Sequence, residues 1–453
     1  MASIAWLLFN IVRFFLIEKT GCNTLSTFLT SPLIAIEQIV IPFLWLIIFY
    51  YSGYYNQPFR KSRLEELLLT IKSILAGTLI IVVLLLIDDL NEQRETFYQL
   101  TVGLLLTHLI PIYFCRLLIT NIFTRQLHTR AIGFRTLVIG TGQRALQTIR
   151  ELDEMNYSLG FDIKGALSVD SQPSTIDGKY HLGDVTEIDA IVQNHKIEEI
   201  IVAVDDTTTD SLLNELYPLY RFNIPIHVVA GEYEILCGSV RMTTIYATPM
   251  VEITSSSLSH FQKNIKQTLD IILAALAIVL LSPLLLFIML RIKLTSPGPI
   301  FYTQERVGLH RRRFNIIKFR SMHVDAEKRG PMLSSEHDTR VTPFGQFLRK
   351  YRLDELPQFW NVLRGDMALV GPRPEREYYI EQLLKRAPYY SLLHKVKPGI
   401  TSWGMVKFGY ARNIEEMLER LRYDILYVEN SSLIVDFKIL IYTIRTIFLG
   451  KGI

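Results

Sequence analysis

Residues 349–374 read RKYRLDELPQFWNVLRGDMALVGPRP. In this stretch two adjacent carboxylates, Asp354 and Glu355, follow a basic run that begins at Arg349. Mg²⁺ in proteins is typically held by one or two carboxylates together with substrate phosphates. Carboxylates beside fixed cations therefore indicate phosphoryl chemistry near a metal. A salt-bridged helix end on the protein surface explains the same residues without any chemistry, and the local pattern alone leaves both interpretations open.

The end of the same stretch carries an arginine between two prolines, Pro372, Arg373 and Pro374. Proline fixes the backbone angle φ, so the chain is stiff on both sides of this arginine. The planar guanidinium group pairs well with phosphate oxygens. We therefore predict that Arg373 meets a phosphate, with a simple turn as the alternative.

Composition separates the chain into parts. It has 453 residues, 49% of them hydrophobic, and a mean hydropathy of +0.23. Two or three domains are expected at this length. Apolar residues concentrate in the first 120 positions and again around 269–290, which predicts membrane segments. The net charge of only +4 gives no sign of nucleic-acid binding. The scattered Cys22, Cys115 and Cys237 indicate neither a disulfide framework nor a metal site.

The N-terminal part, residues 1–122, is predicted to be a bundle of transmembrane helices. Apolar runs at 33–51, 67–87 and 97–119 are each long enough to cross a bilayer, which takes about 20 helical residues. A shorter run at 4–17, interrupted by a single arginine, predicts an additional first span. Two polar residues lie inside these runs, Glu37 and His108, and either interhelical hydrogen bonds or a functional role would explain them.

Loop charges predict the orientation of this bundle. Arg60, Lys61 and Arg63 lie between the first and second long runs, and four arginines follow the last run. The 88–96 loop is acidic instead. Positively charged loops favour the cytoplasmic side, so we expect the 52–66 loop and everything after about residue 120 to be cytoplasmic.

Residues 132–254 alternate short apolar strands with helical stretches, which predicts a Rossmann-like parallel α/β domain. The candidate strands are 134–139, 163–169, 199–204 and 224–229. The first strand is followed by a glycine turn from Gly140 to Ala145, and the second ends near Asp170. This is the context of a dinucleotide fingerprint, but the motif is weak and glycine turns also serve packing. No Tyr-x-x-x-Lys pair occurs in this domain, and a regulatory or structural role is the favoured interpretation.

A second apolar segment, residues 268–292, is divided by Ser282 and Pro283. Proline inside a helix removes a hydrogen bond and bends the helix. Because basic residues flank both ends of the segment, we predict a re-entrant helix-break-helix that enters and leaves the membrane on the cytoplasmic side. A straight span with a proline kink is the alternative.

The C-terminal residues 263–453 carry several motifs in a characteristic order. They are SPGPIFYTQERVG (296–308), FNIIKFRSM (314–322), LDELPQFWNVLRGDMALVGPRP (353–374), HKVKPGITSWGMV (394–406) and YDILYVENSSLIVDFKILIYTI (423–444). Together they resemble the catalytic domain of the monotopic phosphoglycosyl transferases, which transfer a sugar 1-phosphate to a polyprenyl phosphate. The preceding parts resemble the large bacterial subclass of this family, the hexose-1-phosphate transferases of capsule and exopolysaccharide assembly. One segment, KPGITSWGMVKFGYAR (397–412), departs from the family pattern and leaves the sugar open.

The resemblance implies a mostly helical catalytic domain and a two-step reaction. A UDP-sugar, by default UDP-glucose or UDP-galactose, would bind with Mg²⁺, and Asp354 would attack the phosphorus next to the sugar. UMP would leave, and undecaprenyl phosphate would then take the phosphosugar from the aspartate. Asp354 and Glu355 would hold the metal, and Glu355 would alternatively help to hold the acceptor phosphate. The phosphate-binding residues implied are Arg349, Arg373, Lys318 and Arg320.

The resemblance also implies partners and a location. These are the bacterial inner (cytoplasmic) membrane and downstream glycosyltransferases that extend the lipid-linked sugar. The α/β domain additionally offers a surface for a homodimer. Two other functions remain open on the sequence: a membrane-tethered NAD-dependent nucleotide-sugar dehydratase or epimerase, and a non-catalytic scaffold for polysaccharide enzymes.

Overall fold

The structure is a computed structural model that describes residues 1–17, 24–56, 63–86, 94–155, 157–169, 176, 180–205, 217–229, 250–253, 257–324, 326 and 338–448. Five residues named above, Arg60, Lys61, Asp170, Cys22 and Cys237, lie outside these ranges. The chain forms two compact units. The first comprises Met1–Gly133, Tyr157–Gly160 and Lys263–Ile265, and the second comprises Phe134–Asn156, Phe161–Gln262 and Lys266–Ile453.

The first unit is helical. Its helices are α1 (Ala2–Ile17), α2 (Leu25–Leu29), α3 (Pro32–Tyr51), α4 (Arg63–Ile81, continued by a π-helical turn, Val82–Leu86) and α5 (Arg94–His128). The last three correspond to segments that are long and apolar enough to cross a membrane, and α1 is apolar but shorter. The three long spans predicted from hydropathy are therefore confirmed as apolar helices of spanning length.

Close packing and buried polar contacts join these helices. Gly77 lies against the buried ring of Trp45, and a β-carbon at this glycine would lie 2.3 Å from the ring. A guanidinium nitrogen of Arg13 on α1 donates to Glu37 on α3 at 3.4 Å. His108 instead bonds within its own helix, with Nδ1 at 2.9 Å from the carbonyl oxygen of Leu104. Glu37 thus makes the interhelical hydrogen bond that sequence analysis offered as one explanation. Among the described residues His108 makes none, and its ring instead stacks on Trp45 of α3 at 4.8 Å between ring centres.

The second unit begins with a six-stranded sheet. Its strands are β1 (Phe134–Ile139), β2 (Phe161–Ser168), β3 (His181–Asp184), β4 (Glu199–Val202), β5 (Ile226–Val229) and β6 (Met250–Glu252), in the order β3-β2-β1-β4-β5-β6. All neighbours pair in parallel except β5 and β6. Helices α6 (Gln143–Glu154) and α7 (Ile188–Asn194) connect strands. The predicted parallel sheet is confirmed. Sequence analysis missed β3 and β6, because short edge strands lack the apolar run of a strand buried on both faces.

Helix α8 (His260–Thr295) differs from the predicted helix-break-helix, because it continues as one α-helix through Ser282 and Pro283. Pro283 has no N–H to donate to the carbonyl oxygen of Val279, four residues earlier. The hydroxyl of Ser282 donates to that oxygen at 2.7 Å, so the acceptor freed by the proline is satisfied. Ser259 and Gln262 form a capping box at the start of α8. The helix therefore begins at His260, eight residues before the apolar segment 268–292.

The remaining elements form the C-terminal part of this unit. They are the antiparallel hairpin β7 (Phe301–Val307) and β8 (Arg313–Phe319), α9 (Pro343–Lys350), α10 (Gln358–Arg364), β9 (Ala368–Val370), α11 (Glu377–Arg386), β10 (Gly399–Thr401), α12 (Trp403–Lys407), α13 (Ile414–Glu429) and α14 (Leu433–Phe448). Their apolar faces meet in a core that includes the fully buried Ile380, Leu383 and Leu421. This core supports β9, the strand that leads into Pro372-Arg373-Pro374.

A buried polar network ties α8 and α14 to the end of β9. Lys266 donates to the carboxylate of Asp436 at 2.6 Å and to the carbonyl oxygen of Val370 at 3.0 Å. The hydroxyl of Tyr427 donates to the other oxygen of Asp436 at 2.7 Å. The network holds the backbone just before the arginine of the Pro-Arg-Pro loop.

Asp436→Ala should lower the free energy of unfolding by about 2 kcal/mol, because Lys266 and Tyr427 would lose the carboxylate to which they donate, while Lys266 would keep the more distant Asp270 at 3.8 Å. The measurement is the thermal unfolding temperature of the full chain in one detergent. Lys438→Ala, at an exposed position on the same helix, should leave that temperature unchanged. Equal unfolding temperatures for the two variants would contradict a stabilising role of the network.

Candidate active site

Asp354 and Glu355 lie in a 3₁₀ turn, Leu353–Glu355, between α9 and α10. Both residues are buried, with 7% and 4% of their surface exposed. The residue before the turn, Arg352, has a left-handed backbone with φ of 55°. This reversal separates the turn from α9 and allows two adjacent carboxylates to be buried together, which a surface helix end would not do.

Glu355 is the electrostatic centre of the site. Its Oε1 accepts from Nζ of Lys318 on β8 at 2.9 Å and from Nη2 of Arg373 at 3.2 Å. Burial alone would raise the pKa of Glu355, but the two cations hold that pKa well below its usual range. Burial lowers the pKa of Lys318, and Glu355 opposes this shift. Glu355 is therefore ionised and already committed to two cations.

Asp354 has a different environment. Among the described residues, no hydrogen bond or ion pair reaches its carboxylate. Burial raises the pKa of Asp354, the charge of Glu355 raises it further, and Lys318 and the nearby arginines oppose the shift. An incompletely solvated carboxylate with free lone pairs beside fixed positive charge has the properties of an activated nucleophile.

Arg373 is positioned by a tight crossing of backbones. Gly371 donates to the carbonyl oxygen of Thr401 at 3.0 Å, and Gly399 donates to that of Pro372 at 2.9 Å. A β-carbon on Gly399 would lie 2.1 Å from the nitrogen of Gly371, so the crossing requires glycine. Pro372 and Pro374 are both buried. The predicted stiff loop around Arg373 is thus anchored by β9 and β10.

Asp354, Glu355, Lys318 and Arg373 border one cavity of about 350 Å³, and Arg349 and Arg320 line it as well. Nε of Arg349 donates to the hydroxyl of Ser321 at 3.0 Å. Nη2 of Arg320 donates to the carbonyl and hydroxyl oxygens of Ser296 at 2.8 and 2.6 Å, which leaves Nη1 without a partner among the described residues. Arg320 therefore also holds the loop that follows α8.

The cavity contains a third buried carboxylate, Glu375, that sequence analysis did not single out. Glu375 accepts from Arg420 at 2.7 Å and from Arg306 at 3.3 Å. Burial opposes the charge of Glu375, but the two arginines hold its pKa low. Its position directly after the Pro-Arg-Pro motif could have indicated from the sequence that Glu375 belongs to the site.

The cavity is strongly basic, and its cationic lining residues are Arg306, Lys318, Arg320, Arg340, Arg349, Arg373, Arg376 and Arg420.

The residues of the site can be compared with the ligands that the predicted Mg²⁺ requires. Within the described part of the chain, no three His, Cys, Asp or Glu side chains come together. Asp354, with its free carboxylate beside Glu355, nevertheless provides the one or two oxygen ligands that Mg²⁺ takes when substrate phosphates complete its coordination. The residues present fit a metal that arrives with a diphosphate.

The glycine turn after β1 is occupied by the protein itself. The carboxylate of Asp205 accepts from the backbone nitrogens of Gln143 and Arg144 at 2.6 and 2.7 Å. A β-carbon on Gly142 would overlap this carboxylate. The N-terminus of α6, where a dinucleotide would place its pyrophosphate, is therefore already capped by an acidic side chain.

Comparison with known proteins identifies the family of the C-terminal part. Residues 261–450 match the family model described as "Bacterial sugar transferase". Over 230 residues, the chain is 41% identical to a UDP-N-acetylgalactosamine-undecaprenyl-phosphate N-acetylgalactosaminephosphotransferase of Aeromonas hydrophila, which covers 51% of this chain and 54% of that protein. Over 316 residues, it is 31% identical to a UDP-glucose:undecaprenyl-phosphate glucose-1-phosphate transferase of Escherichia coli (strain K12), covering 69% of this chain and 67% of the relative.

A third relative is the UDP-galactose-lipid carrier transferase of Erwinia amylovora, 30% identical over 338 residues, with 70% of this chain and 69% of that protein covered. The matches thus cover between 54% and 69% of the length of these three relatives. The chain belongs to the bacterial sugar transferase family. This confirms the family predicted from the motifs of residues 296–444.

Proposed function

We propose that the protein transfers a sugar 1-phosphate from a UDP-sugar to undecaprenyl phosphate and releases UMP, as an early membrane step of surface polysaccharide assembly. The observation that carries this proposal is the pair of buried carboxylates at the cavity. Glu355 is neutralised by Lys318 and Arg373, whereas Asp354 is unpaired among the described residues and borders the same basic cavity. The names of the relatives give the substrate class.

The reaction takes two steps. In the first, an oxygen of Asp354 bonds to the phosphorus next to the sugar, and the bond from that phosphorus to the bridging oxygen of UMP breaks. In the second, a phosphate oxygen of undecaprenyl phosphate attacks the same phosphorus and releases the carboxylate of Asp354. Splitting one displacement into two is the general advantage of a carboxylate nucleophile.

The cations around the cavity supply electrostatic stabilisation. Phosphoryl transfer depends mainly on positioning and on neutralising the equatorial oxygens. Lys318 and Arg373 are held by Glu355 toward the nucleophile, and Arg373 keeps further N–H donors for a phosphate oxygen. Arg349 and Arg320 would serve the phosphates at the side of the cavity near Ser321. Glu355 supports the two cations, and it would also offer a second oxygen ligand to the metal.

Mg²⁺ would be held by Asp354 and Glu355 together with the donor diphosphate, and when bound it would neutralise phosphate charge. Treatment with EDTA should therefore reduce UMP release to background, and excess Mg²⁺ should restore it. The metal-free protein should bind the UDP-sugar with at least about tenfold lower affinity than the protein with Mg²⁺, because its carboxylates then repel the diphosphate. Full activity in EDTA would contradict the metal assignment.

The donor sugar is decided by a panel. The relatives name N-acetylgalactosamine, glucose and galactose donors, so the family does not select one. UMP release should be measured with UDP-glucose, UDP-galactose and UDP-N-acetylgalactosamine, with undecaprenyl phosphate and Mg²⁺ in nanodiscs. One donor should exceed the others by at least about tenfold, the discrimination that one or two buried hydrogen bonds give. A folded protein that releases no UMP with any UDP-sugar would favour the scaffold alternative.

We place the protein in the bacterial inner membrane with its catalytic part on the cytoplasmic side, and α8 as a re-entrant element. Lys266 near the start of α8 bonds to Val370, and Ile292 near its end packs against Phe319 and Leu348. A straight helix would separate residues 266 and 292 by about 39 Å. That exceeds the hydrocarbon thickness of about 30 Å, yet both ends contact one and the same unit. A path that returns to the side on which it began would therefore require this continuous helix to bend at Ser282 and Pro283.

Cysteine labelling tests this topology. Single cysteines introduced near residues 258 and 310 should react with a membrane-impermeant maleimide only after the cytoplasmic face is opened. The mutant set needs a background in which the native cysteines are replaced by serine. Labelling of the two positions from opposite faces would end the re-entrant proposal and support the straight span.

We interpret the sheet domain as Rossmann-like, because its strand order β3-β2-β1-β4-β5-β6 corresponds to that of dinucleotide-binding domains, with β6 antiparallel as the difference. Asp205 at the N-terminus of α6 supports a structural or regulatory role over the NAD-dependent dehydratase or epimerase alternative. A homodimer through this domain and contacts with downstream glycosyltransferases remain part of the proposal, on the family resemblance alone.

A further inference from the structure

We propose that Tyr410 is a positioning residue for phosphosugar transfer, acting through its aromatic ring on Arg352 and Arg373. This inference rests on the proposed function, because it concerns the geometry of the same cavity. Tyr410 lines that cavity close to the carboxylate pair. The guanidinium carbons of Arg352 and Arg373 each lie 4.8 Å from the centre of its ring. One aromatic ring thus contacts the cation that faces the phosphates and the residue that precedes the nucleophile turn.

The contact with Arg373 explains how that cation is aimed without losing its donors. Nη2 of Arg373 is directed to Glu355, and Nη1 lies 3.5 Å from the sulfur of Met405, a weak acceptor. An aromatic ring engages the face of a guanidinium group, whereas the N–H bonds lie in its plane. Tyr410 therefore restricts the orientation of Arg373 and leaves its N–H groups available for phosphate oxygens.

The contact with Arg352 bears on the nucleophile itself. The N–H of Arg352 donates to the carbonyl oxygen of Arg349 at 3.1 Å, and the carbonyl oxygen of Arg352 accepts from the N–H of Glu355 at 3.3 Å. Arg352 is therefore the joint between the end of α9 and the turn that holds Asp354. Any change at this joint moves the carboxylate.

Arg352 occupies a costly conformation. Its φ of 55° lies in the left-handed region, which side chains other than glycine rarely adopt. Such conformations persist when the surrounding structure over-determines them. Nε of Arg352 is buried without a hydrogen-bond partner among the described residues, so polar bonds from that atom do not fix the side chain. The ring of Tyr410, 4.8 Å from the guanidinium carbon, is a contact that restricts the Arg352 side chain.

The ring, rather than the hydroxyl, carries this role, and substitutions separate the two. We expect Tyr410→Phe to keep at least about a third of the wild-type kcat, because the ring face remains. Tyr410→Leu should lower kcat at least about tenfold, since small displacements of reacting groups cost that much or more. The KM for the UDP-sugar should change less than threefold, because Tyr410→Leu leaves the number of cations in the cavity unchanged.

A second pair of variants tests the joint independently of Tyr410. Arg352→Gly accepts a left-handed backbone without a β-carbon, so it should keep more activity than Arg352→Ala by at least about fivefold. Both variants lose the side chain that packs on the ring. If Arg352 served packing alone, Arg352→Gly should lose more activity than Arg352→Ala. Glycine raises the conformational entropy of the unfolded chain and so destabilises the fold further.

The experiment measures initial rates of UMP release by the full chain in nanodiscs, with the best UDP-sugar and undecaprenyl phosphate. Tyr378→Leu, at an exposed tyrosine on α11, is the matched control and should match wild type. Wild-type kcat in Tyr410→Leu would overturn the proposal, and so would an equal loss of kcat in Tyr410→Phe and Tyr410→Leu. If Tyr410→Leu does not fold, the Arg352 variants decide. Equal activity of Arg352→Gly and Arg352→Ala would then overturn the proposal. An inactive wild type would instead contradict the proposed function.

Discussion

Asp354→Asn is expected to lower UMP release at least about 10³-fold, the scale on which enzymes respond to loss of their nucleophile. Asparagine has nearly the same shape but no charge, and its amide does not attack phosphorus. The same substitution should leave the unfolding temperature unchanged or raise it. Burial and the charge of Glu355 raise the pKa of Asp354 above its unfolded value. At neutral pH the ionised aspartate therefore destabilises the fold, and the neutral amide removes that cost.

The comparison needs a matched control at a carboxylate outside the cavity. Asp162→Asn changes a surface residue of the sheet that is about half exposed and pairs with the exposed Lys164, so neither activity nor unfolding temperature should respond. If Asp354→Asn kept more than a tenth of the wild-type rate, a different residue would have to be the nucleophile. The role of Asp354 would then reduce to electrostatics or metal binding.

Glu355→Gln should lower activity about 10²-fold, because Arg373 and Lys318 lose the carboxylate that directs them and removal of one electrostatic group has effects of this size. Unlike the change at Asp354, it should also destabilise the protein. The pKa of Glu355 is depressed in the folded state, so its stabilising effect is present above its unfolded pKa and is lost as the pH falls through its folded pKa. At neutral pH the glutamine removes the carboxylate that pairs directly with buried Lys318 and Arg373, at a cost of about 3 kcal/mol.

Two neighbouring carboxylates are thus expected to affect stability in opposite directions. The unfolding temperatures of Asp354→Asn and Glu355→Gln at neutral pH, each compared with wild type, measure this difference directly. Glu305→Gln is the control for the second variant, because Glu305 and its partner Arg313 are each more than half exposed. Equal stability of Glu355→Gln and wild type would show that Lys318 and Arg373 do not depend on Glu355.

Much of this architecture follows from local sequence. The apolar runs that become α3, α4 and α5 are continuous, and β1 and β4 are rich in β-branched residues that suit a sheet covered on both faces. The site motifs also indicated the main participants, since Asp354, Glu355 and Arg373 all lie within 20 residues of one another. The residues of the nucleophile turn and of the Pro-Arg-Pro loop could therefore be predicted from their proximity in the sequence.

What the sequence does not reveal depends on long-range contacts. Glu375 meets Arg306 and Arg420 across 69 and 45 residues, and no spacing rule connects such positions. Tyr410 lies in the segment that departs from the family pattern, so the resemblance gave it no role. The break at Pro283 was overestimated because the rule counts the missing N–H but not the hydroxyl of Ser282 that satisfies the freed carbonyl.

The nucleotide product tests the central claim most directly. The full chain in nanodiscs is incubated with the best UDP-sugar, undecaprenyl phosphate and Mg²⁺, and the released nucleotide and the lipid product are quantified by mass spectrometry. Transfer of a sugar 1-phosphate predicts equal amounts of UMP and undecaprenyl-diphospho-sugar, with neither formed by Asp354→Asn. Release of UDP together with an undecaprenyl-monophospho-sugar would show that the bond to the sugar carbon breaks instead, and it would contradict attack by Asp354 on phosphorus.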